Sequence, residues 1–487
     1  MRWLPPATLL LLTTLVAGAA PPPDVVRFAS YNVSFFRATQ GGLLMELNTT
    51  PASVTGNPTN IHQIAEALQR IRPDVLLLNE FDYDAGASVN VFADKFLATP
   101  QKAGLVALEY PYRYSAPSNT GISSGFDFDN NGSVVTTPGT DTYGNDSFGF
   151  GIFPGQYAPA VFSRFPIETA GVRTMQLFKW KDMPDSKLLL ASGSPPLTTY
   201  YTAAERDVLR LSSKTHLDVP VNLGNGIMAH LLASHPTPPT FDAAEDKNGK
   251  RNFDEIRMWA DYIDPSRAGY LYDDNGASGG LPAGARFVIG GDQNADPNDG
   301  ATLTGAARQL TTHPLVNATF IPSSARYGAG GAAYSPGGSQ IGNSNHDTAA
   351  FSGGLRVDYV LPSKAGFTVF DGAVFWPGPS DPLRAVVSDR DPSDHHMVWV
   401  DLRPQISLTE AVIGFDAIWN GTALILTWQA ADGYAYKVQQ SATMATGTWI
   451  DTGVAVSITP GTGQASAPIA ASPAGKMFYR LQVTFAP

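Results

Sequence analysis

Five apolar runs in this 487-residue chain end in side chains able to hold a cation or move a proton. RFASYNV at 27–33 delivers Asn32, and DVLLLNE at 74–80 delivers Glu80. FVIGGDQN at 287–294 delivers Asp292 and Asn294, RVDYVLPS at 356–363 carries Asp358, and SDHHMVWV at 393–400 opens with Asp394 and His395. Carboxylates and carboxamides are hard oxygen donors, and a neutral imidazole whose tautomer is fixed by an acceptor polarises water near neutral pH. That inventory suits metal-assisted hydrolysis. Ser-Asp-His ahead of an apolar strand sets an anionic ligand beside a base, and Asp358 is the acid that would orient His395. His235 leaves a further apolar run just before the Pro-rich turn HPTPPTFD.

Each residue alone has a plainer role. Glu80 can be a strand-end acid, Asn32 a turn-former, His235 a partner for turn carbonyls, and Asp394-His395 a surface dipeptide. Asp292 and Asn294 can belong to an Asx-turn in DQNADPNDG, where Asp296, Asn298 and Asp299 are placed. If strand geometry persists past Gly291, Asp292 and Asn294 point the same way. His396 is expected to face outward, and His230 to pack within its strand.

The elements that must position these groups read as alternating strands and helices. Short apolar runs indicate buried strands, and the loops at strand ends are where a scaffold displays chemistry. Val25–Val33 is a strand; Ile61, Ile64, Ala65, Leu68 and Ile71 then recur at helical spacing, with Asn60 as N-cap and Pro73 as stop. Val75–Leu78 follows as the next strand, so the pattern is α/β. AVFSRFPI at 160–167 and residues 226–234 are further strands, and 252–263 is a helix through Ile256, Trp259, Ala260 and Ile263.

Residues 115–158 form a long Gly/Asn/Asp-rich insertion, a candidate binding rim. Within it, Asp127, Asp129, Asn131 and Gly132 begin like a calcium loop, but Pro138 stands where the closing Glu belongs, leaving either a polar turn or a structural calcium. The stretch 182–226 is weakly patterned and carries no functional assignment.

Bulk properties narrow the field. At this length two domains are expected, and 43% hydrophobic with 15% charged residues describes an ordered globular chain. Residues 1–20 carry Arg2, an apolar stretch from Leu9 to Val16 and a small-residue site at Ala17-Gly18-Ala19, which reads as a secretory signal, with a secreted or periplasmic destination. No later segment is long enough to span a membrane. The absence of cysteine excludes disulfides, thiolate nucleophiles and Cys-ligated zinc. Basic residues number 32 against 43 acidic, for a net charge of −11, and no Lys/Arg-rich run offers a polynucleotide stripe. From 405 to 487 apolar and polar residues alternate between Gly- and Ser-rich turns, as in ALILTW at 423–428, YAYKVQQ at 434–440 and MFYRLQV at 477–483. These predict a small all-β sandwich with Trp428 and Trp449 in its core.

The order and local context of the motifs over residues 24–403 resemble the endonuclease/exonuclease/phosphatase superfamily, which includes pancreatic deoxyribonuclease, abasic-site endonucleases, neutral sphingomyelinases and inositol polyphosphate phosphatases. The resemblance implies a four-layer α/β sandwich of two packed sheets flanked by helices. It implies Glu80 and Asp394 as ligands of a divalent metal, with Asn32 beside metal and phosphate. Asp292 would serve the attacking water or the metal, Asn294 and His235 would bind the phosphate, and Asp358 would orient His395. Mg or Mn suits such oxygen donors, and Ca is compatible. The tail resembles fibronectin type III-like modules. The function expected is hydrolysis of phosphate mono- or diesters by an activated water, without a covalent intermediate. The alternatives are an extracellular nuclease acting on DNA or RNA, and a non-catalytic extracellular binding protein on the same fold.

Overall fold

The computed structural model describes residues 24–189, 199–224, 227–335, 340–405, 412–420, 422–430, 434–443, 448–459, 464–470 and 478–485. The expected signal segment at 1–20 lies outside them.

Two sheets carry the larger part of the chain. The first has six strands in the order β10 (Phe367–Val374), β11 (Val398–Pro404), β1 (Val26–Phe35), β2 (Val75–Phe81), β4 (Ala158–Ser163) and β3 (Tyr112–Ser115). The second has five, β5 (Arg173–Thr174), β6 (Leu217–Asn222), β7 (Met228–Ala233), β8 (Phe287–Asp292) and β9 (Asp358–Pro362), in that order.

Side chains alternate across a strand, so each sheet presents two faces. Phe28, Leu77 and Val161 of the first sheet meet Val219, Leu231, Val288 and Val360 of the second in one apolar cluster between the sheets. The opposite set on the first sheet, Ala29, Tyr31, Leu76 and Leu78, packs on Ile61, Ile64 and Leu68 of the helix Asn60–Ile71. On the far side, Leu232, Ile289 and Leu361 pack on Ile256 and Trp259 of the helix Lys247–Tyr262. The result is four layers: helix, sheet, sheet, helix. Each fully buried Leu or Ile contributes about 1.5–3 kcal/mol, which fixes which face of each strand turns inward.

The helix Asn60–Ile71 is capped by Thr59 rather than by Asn60, which is its first residue. Thr59 is extended and forms a capping box with His62, whose Nδ1 accepts from the Thr59 backbone N–H at 3.2 Å. Arg72 ends the helix in the left-handed region (φ 55°), consistent with Pro73 disfavouring a helical residue before it. Arg27 bonds Asp401 through Nε and Nη2 at 2.7 and 2.8 Å and lies over the Trp399 ring, locking β1 to β11 in register. Both strands adjoin loops that carry site residues.

The C-terminal part forms two antiparallel sheets. One is ordered β12 (Val412–Trp419), β13 (Ala423–Ala430), β17 (Gln464–Ala470), β16 (Ser457–Ile458); the other β15 (Ile450–Asp451), β14 (Tyr434–Ser441), β18 (Phe478–Phe485). Trp428 is buried against Tyr436, with ring centroids 5.5 Å apart. Trp449, expected in the same core, is only half-buried and lies under the Arg480 guanidinium at 4.5 Å. Among the described residues no helix is long and apolar enough to cross a membrane.

Candidate active site

The two inner sheet faces meet at one end over Asp292. Asn32 and Asn79 are register partners on β1 and β2, and both are fully buried. The Asn32 side-chain amide donates to the Asp292 carboxylate at 3.2 Å, while Asn79 Oδ1 accepts the Asp292 backbone N–H at 3.0 Å. Asp292 pairs across β8 and β9 with Asp358. Asp358 Oδ2 accepts from His395 Nδ1 at 2.9 Å, and His395 Nε2 then faces Asp292 Oδ2 at 3.6 Å. His235 Nε2 approaches the same oxygen at 3.4 Å. The row therefore runs Asp358, His395, Asp292, His235.

Burial and charge oppose each other along this row. Burial works against the charge of Asp292, yet His395, His235 and the Asn294 N–H hold its carboxyl well below the usual carboxylate range. Burial likewise disfavours imidazolium, but Asp358 and Asp292 on either side push His395 up to about 10. The bond to Asp358 fixes which ring nitrogen faces the cleft.

Regular alternation would send Glu80 into the helix layer with Leu76 and Leu78. A register shift between Leu78 and Phe81, with Glu80 at φ 59°, turns it instead into the cleft. Bulges beside active sites commonly re-aim a side chain in this way. Asp394 reaches the same cleft from the loop ahead of β11. That loop is tied to β1 by Ser393, whose hydroxyl donates to the Asn32 carbonyl at 2.8 Å.

The cleft has a volume of about 610 Å³, and Glu80, Asp292, Asn294, Asp394, His235 and His395 all line it. Asn32 and Asp358 lie beneath it and act on Asp292 and His395. Six non-glycine residues of its lining, Ser34, Glu80, Tyr157, Phe241, Asn294 and Ser352, have φ between 50° and 65°. Such strain concentrates at functional sites, because the surrounding fold must hold it in place.

Several expectations are corrected. Strand geometry ends at Asp292 and does not reach Asn294: β8 stops there, Asp292 Oδ1 accepts the Asn294 N–H at 2.8 Å, and Asn294 reaches the cleft through that turn. The Asn294 side-chain amide donates to the Pro236 carbonyl at 3.1 Å. His396 does not face outward; it is buried and stacked on Trp376 at 3.8 Å, since both faces of that sheet are covered. His230 stays within β7 as expected, where its Nδ1 donates to the Asp218 carboxylate at 2.7 Å. Asp296 makes the expected Asx-turn through the Asn298 N–H, yet it and Asp299 also line the cleft.

Of the insertion 115–158, only Tyr157 reaches the cleft. Much of the remainder packs elsewhere, as where Arg251 donates to the Phe148 carbonyl. Asp127 accepts the Asn131 and Gly132 N–H groups, a polar turn, and Asp146 joins Asp127 and Asp129 with carboxylate oxygens within 4.8 Å of one another.

Two residues near the row escaped sequence reasoning. Asn79 directly precedes Glu80, and its place at the end of an apolar run was a usable signal. Lys214 lies in the weakly patterned stretch; it is buried, and its Nζ sits 3.4 Å from the Pro236 carbonyl that Asn294 also bonds. Burial lowers its pKa, against the opposing fields of Glu255, Glu80 and Asp292.

The donor set fits a divalent cation. Asp292, Asp358 and His395 form a buried cluster of ligand-type atoms within 4.8 Å, though Asp358 Oδ2 is committed to His395. Glu80 and Asp394 line the same cleft outside that cluster. Carboxylate oxygens in a chain without cysteine favour a hard cation.

The endonuclease/exonuclease/phosphatase family matches residues 29–395, and the chain belongs to that family. Its members are metal-dependent phosphoesterases or nucleases. No curated protein matches the chain. Among solved structures it is similar to TDP2 from Caenorhabditis elegans, at 12% identity and a TM-score of 0.35, covering 78% of this chain and 74% of that one. It is also similar to an endonuclease/exonuclease/phosphatase family protein from Bacteroides thetaiotaomicron, at 11% identity and a TM-score of 0.36, covering 78% of this chain and 98% of that one.

Proposed function

We propose that this member of the endonuclease/exonuclease/phosphatase family hydrolyses phosphate mono- or diesters by in-line attack of water, with a divalent cation bound between Glu80 and Asp394. The single observation that carries this reading is the row Asp358–His395–Asp292–His235 opening on the cleft that Glu80 and Asp394 flank. A bound Mg, Mn or Ca ion would supply charge neutralisation for the phosphate oxygens. His395, tethered by Asp358, takes the proton of the attacking water on Nε2 in its neutral form, which a cation held beside Asp394 would favour, and the departing alkoxide is protonated by solvent. Asp292 holds that water near Nε2. Asn294 and His235 donate to the phosphate and orient it, a contribution that can equal the acid–base one. The 3.4 Å contact between His235 and Asp292 is long for a hydrogen bond, so the imidazole N–H can turn to a substrate oxygen.

Residues 24–403 would form the catalytic domain and 405–487 a fibronectin type III-like module, with 1–20 removed on export. The decisive experiment is turnover of a generic aryl phosphodiester and phosphomonoester by the full chain, with chelator and then with Mg, Mn or Ca restored. Hydrolysis that depends on added cation supports the reading; no hydrolysis of either ester with any of the three ions would end it. Cell fractionation tests export: a purely cytoplasmic location of the natural chain contradicts that part.

A further inference from the structure

We propose that the cleft accepts a phosphoester whose alcohol part is apolar and uncharged, held by an aromatic wall built from Phe36, Phe241 and Phe351; this rests on the hydrolytic reading above and specifies its substrate. The carboxylates and imidazoles occupy only part of a space of about 610 Å³, which is the size of a pocket for a small organic molecule. Much of the rest is apolar, where Pro238, Pro239, Leu355 and Val357 join the aromatic rings, with Ser34, Thr240, Thr302 and Ser352 between them. Phe36 and Tyr157 form a tilted pair with centroids 4.8 Å apart, and Phe351 sets its ring edge-on to His395 at 5.4 Å. The aromatic wall thus begins at the imidazole itself.

Two of these rings are unusually placed for a folded protein. Phe241 is 90% exposed and held at φ 65°, a conformation costly for a bulky side chain. Phe36 is 38% exposed. Both line the cleft, so their exposed faces are available to a ligand rather than spent on the core.

Charge fixes what that ligand cannot be. Among the described residues lining the cleft none is Lys or Arg, and Asp296 and Asp299 extend the negative lining beyond Asn294. A second phosphate adjoining the scissile one would meet carboxylates and no cation, which disfavours nucleotides and polynucleotides. An uncharged aromatic or apolar alcohol buries its surface on the rings at no such cost.

The test compares ethyl and 2-phenylethyl phosphate, whose leaving alcohols have similar acidity, with a dinucleotide as the anionic competitor, all with Mg. The phenylethyl ester is expected to exceed the ethyl ester by about ten-fold in kcat/KM, the effect of roughly one well-formed aromatic contact. Phe241→Ala and Phe36→Ala should reduce that preference by raising KM for the phenylethyl ester. Equal rates for the two esters, or preference for the dinucleotide, overturn the proposal. If neither ester is hydrolysed with Mg, Mn or Ca, the hydrolytic reading is decided separately by the aryl diester and monoester assay above. Calorimetric binding of 2-phenylethylphosphonate against ethylphosphonate then decides the cleft by itself: tighter binding of the former supports the proposal, and equal binding overturns it.

Discussion

Replacing Asp358 by Asn separates catalysis from stability. Asp358 is 1% exposed and does not line the cleft, so it acts only through His395 Nδ1, 2.9 Å away. The substitution keeps the shape and an acceptor oxygen but removes the charge that, with Asp292, holds the imidazole up. A buried ion pair that loses one partner is usually costly because a charge is stranded. Here His395 still has Asp292 as a counter-ion at 3.6 Å, so no charge is left alone, and burial already raises the Asp358 carboxyl. Stability should therefore stay within about 2 kcal/mol of wild type. Positioned acid–base catalysis contributes about 10²–10⁴ in rate, or roughly 2.7–5.4 kcal/mol of barrier. The expectation is that kcat falls by that factor with KM unchanged, because no cleft contact is lost. Steady-state kinetics on an aryl phosphodiester, alongside urea unfolding, measures both. A kcat within about three-fold of wild type, or a loss of activity that merely tracks unfolding, refutes the relay.

Three further outcomes follow from the same geometry. Mg added at about 100 times its dissociation constant should stabilise the wild-type chain by about 2.7 kcal/mol, and Glu80→Gln should abolish most of that gain in thermal unfolding; an unchanged gain would place the ion elsewhere. Gly291 has φ 129°, and an added Cβ would lie 1.9 Å from the Ser234 carbonyl oxygen, so Gly291→Ala should cost about 2 kcal/mol or more in urea unfolding, and a neutral result would deny that close approach of β7 and β8. Burial pushes the Asp82 carboxyl from 3.8 to about 7, against the Arg37 and Tyr157 N–H groups that it accepts. The folded chain binds that proton more tightly, so the contribution is complete below pH 3.8 and declines as pH rises through about 7; the difference in urea midpoint between wild type and Asp82→Asn should change across that window, and a constant difference contradicts it.

The chain's local spacing already held the strands, the two flanking helices and the side chains at their ends, because alternation and helical periodicity are properties of consecutive residues. Asn32, Glu80, His235, Asp292, Asn294, Asp358, Asp394 and His395 could all be named from the ends of apolar runs. What local spacing could not hold was direction. Alternation alone would send Glu80 to the helix layer, and only the bulge shared by β1, β2 and β4 turns it toward Asp292. Asn294 reaches the cleft because Asp292 caps its own turn, and His396 is buried because a second layer covers the face opposite His395. The aromatic side chains that line the cleft, Phe36, Tyr157, Phe241 and Phe351, come from four separate segments that no local spacing links. Sequence by itself determined which groups were available and that they sat at strand ends. Tertiary packing decided which of them share a cavity and which nitrogen or oxygen each one shows, because those depend on pairings between strands hundreds of residues apart that no local pattern records.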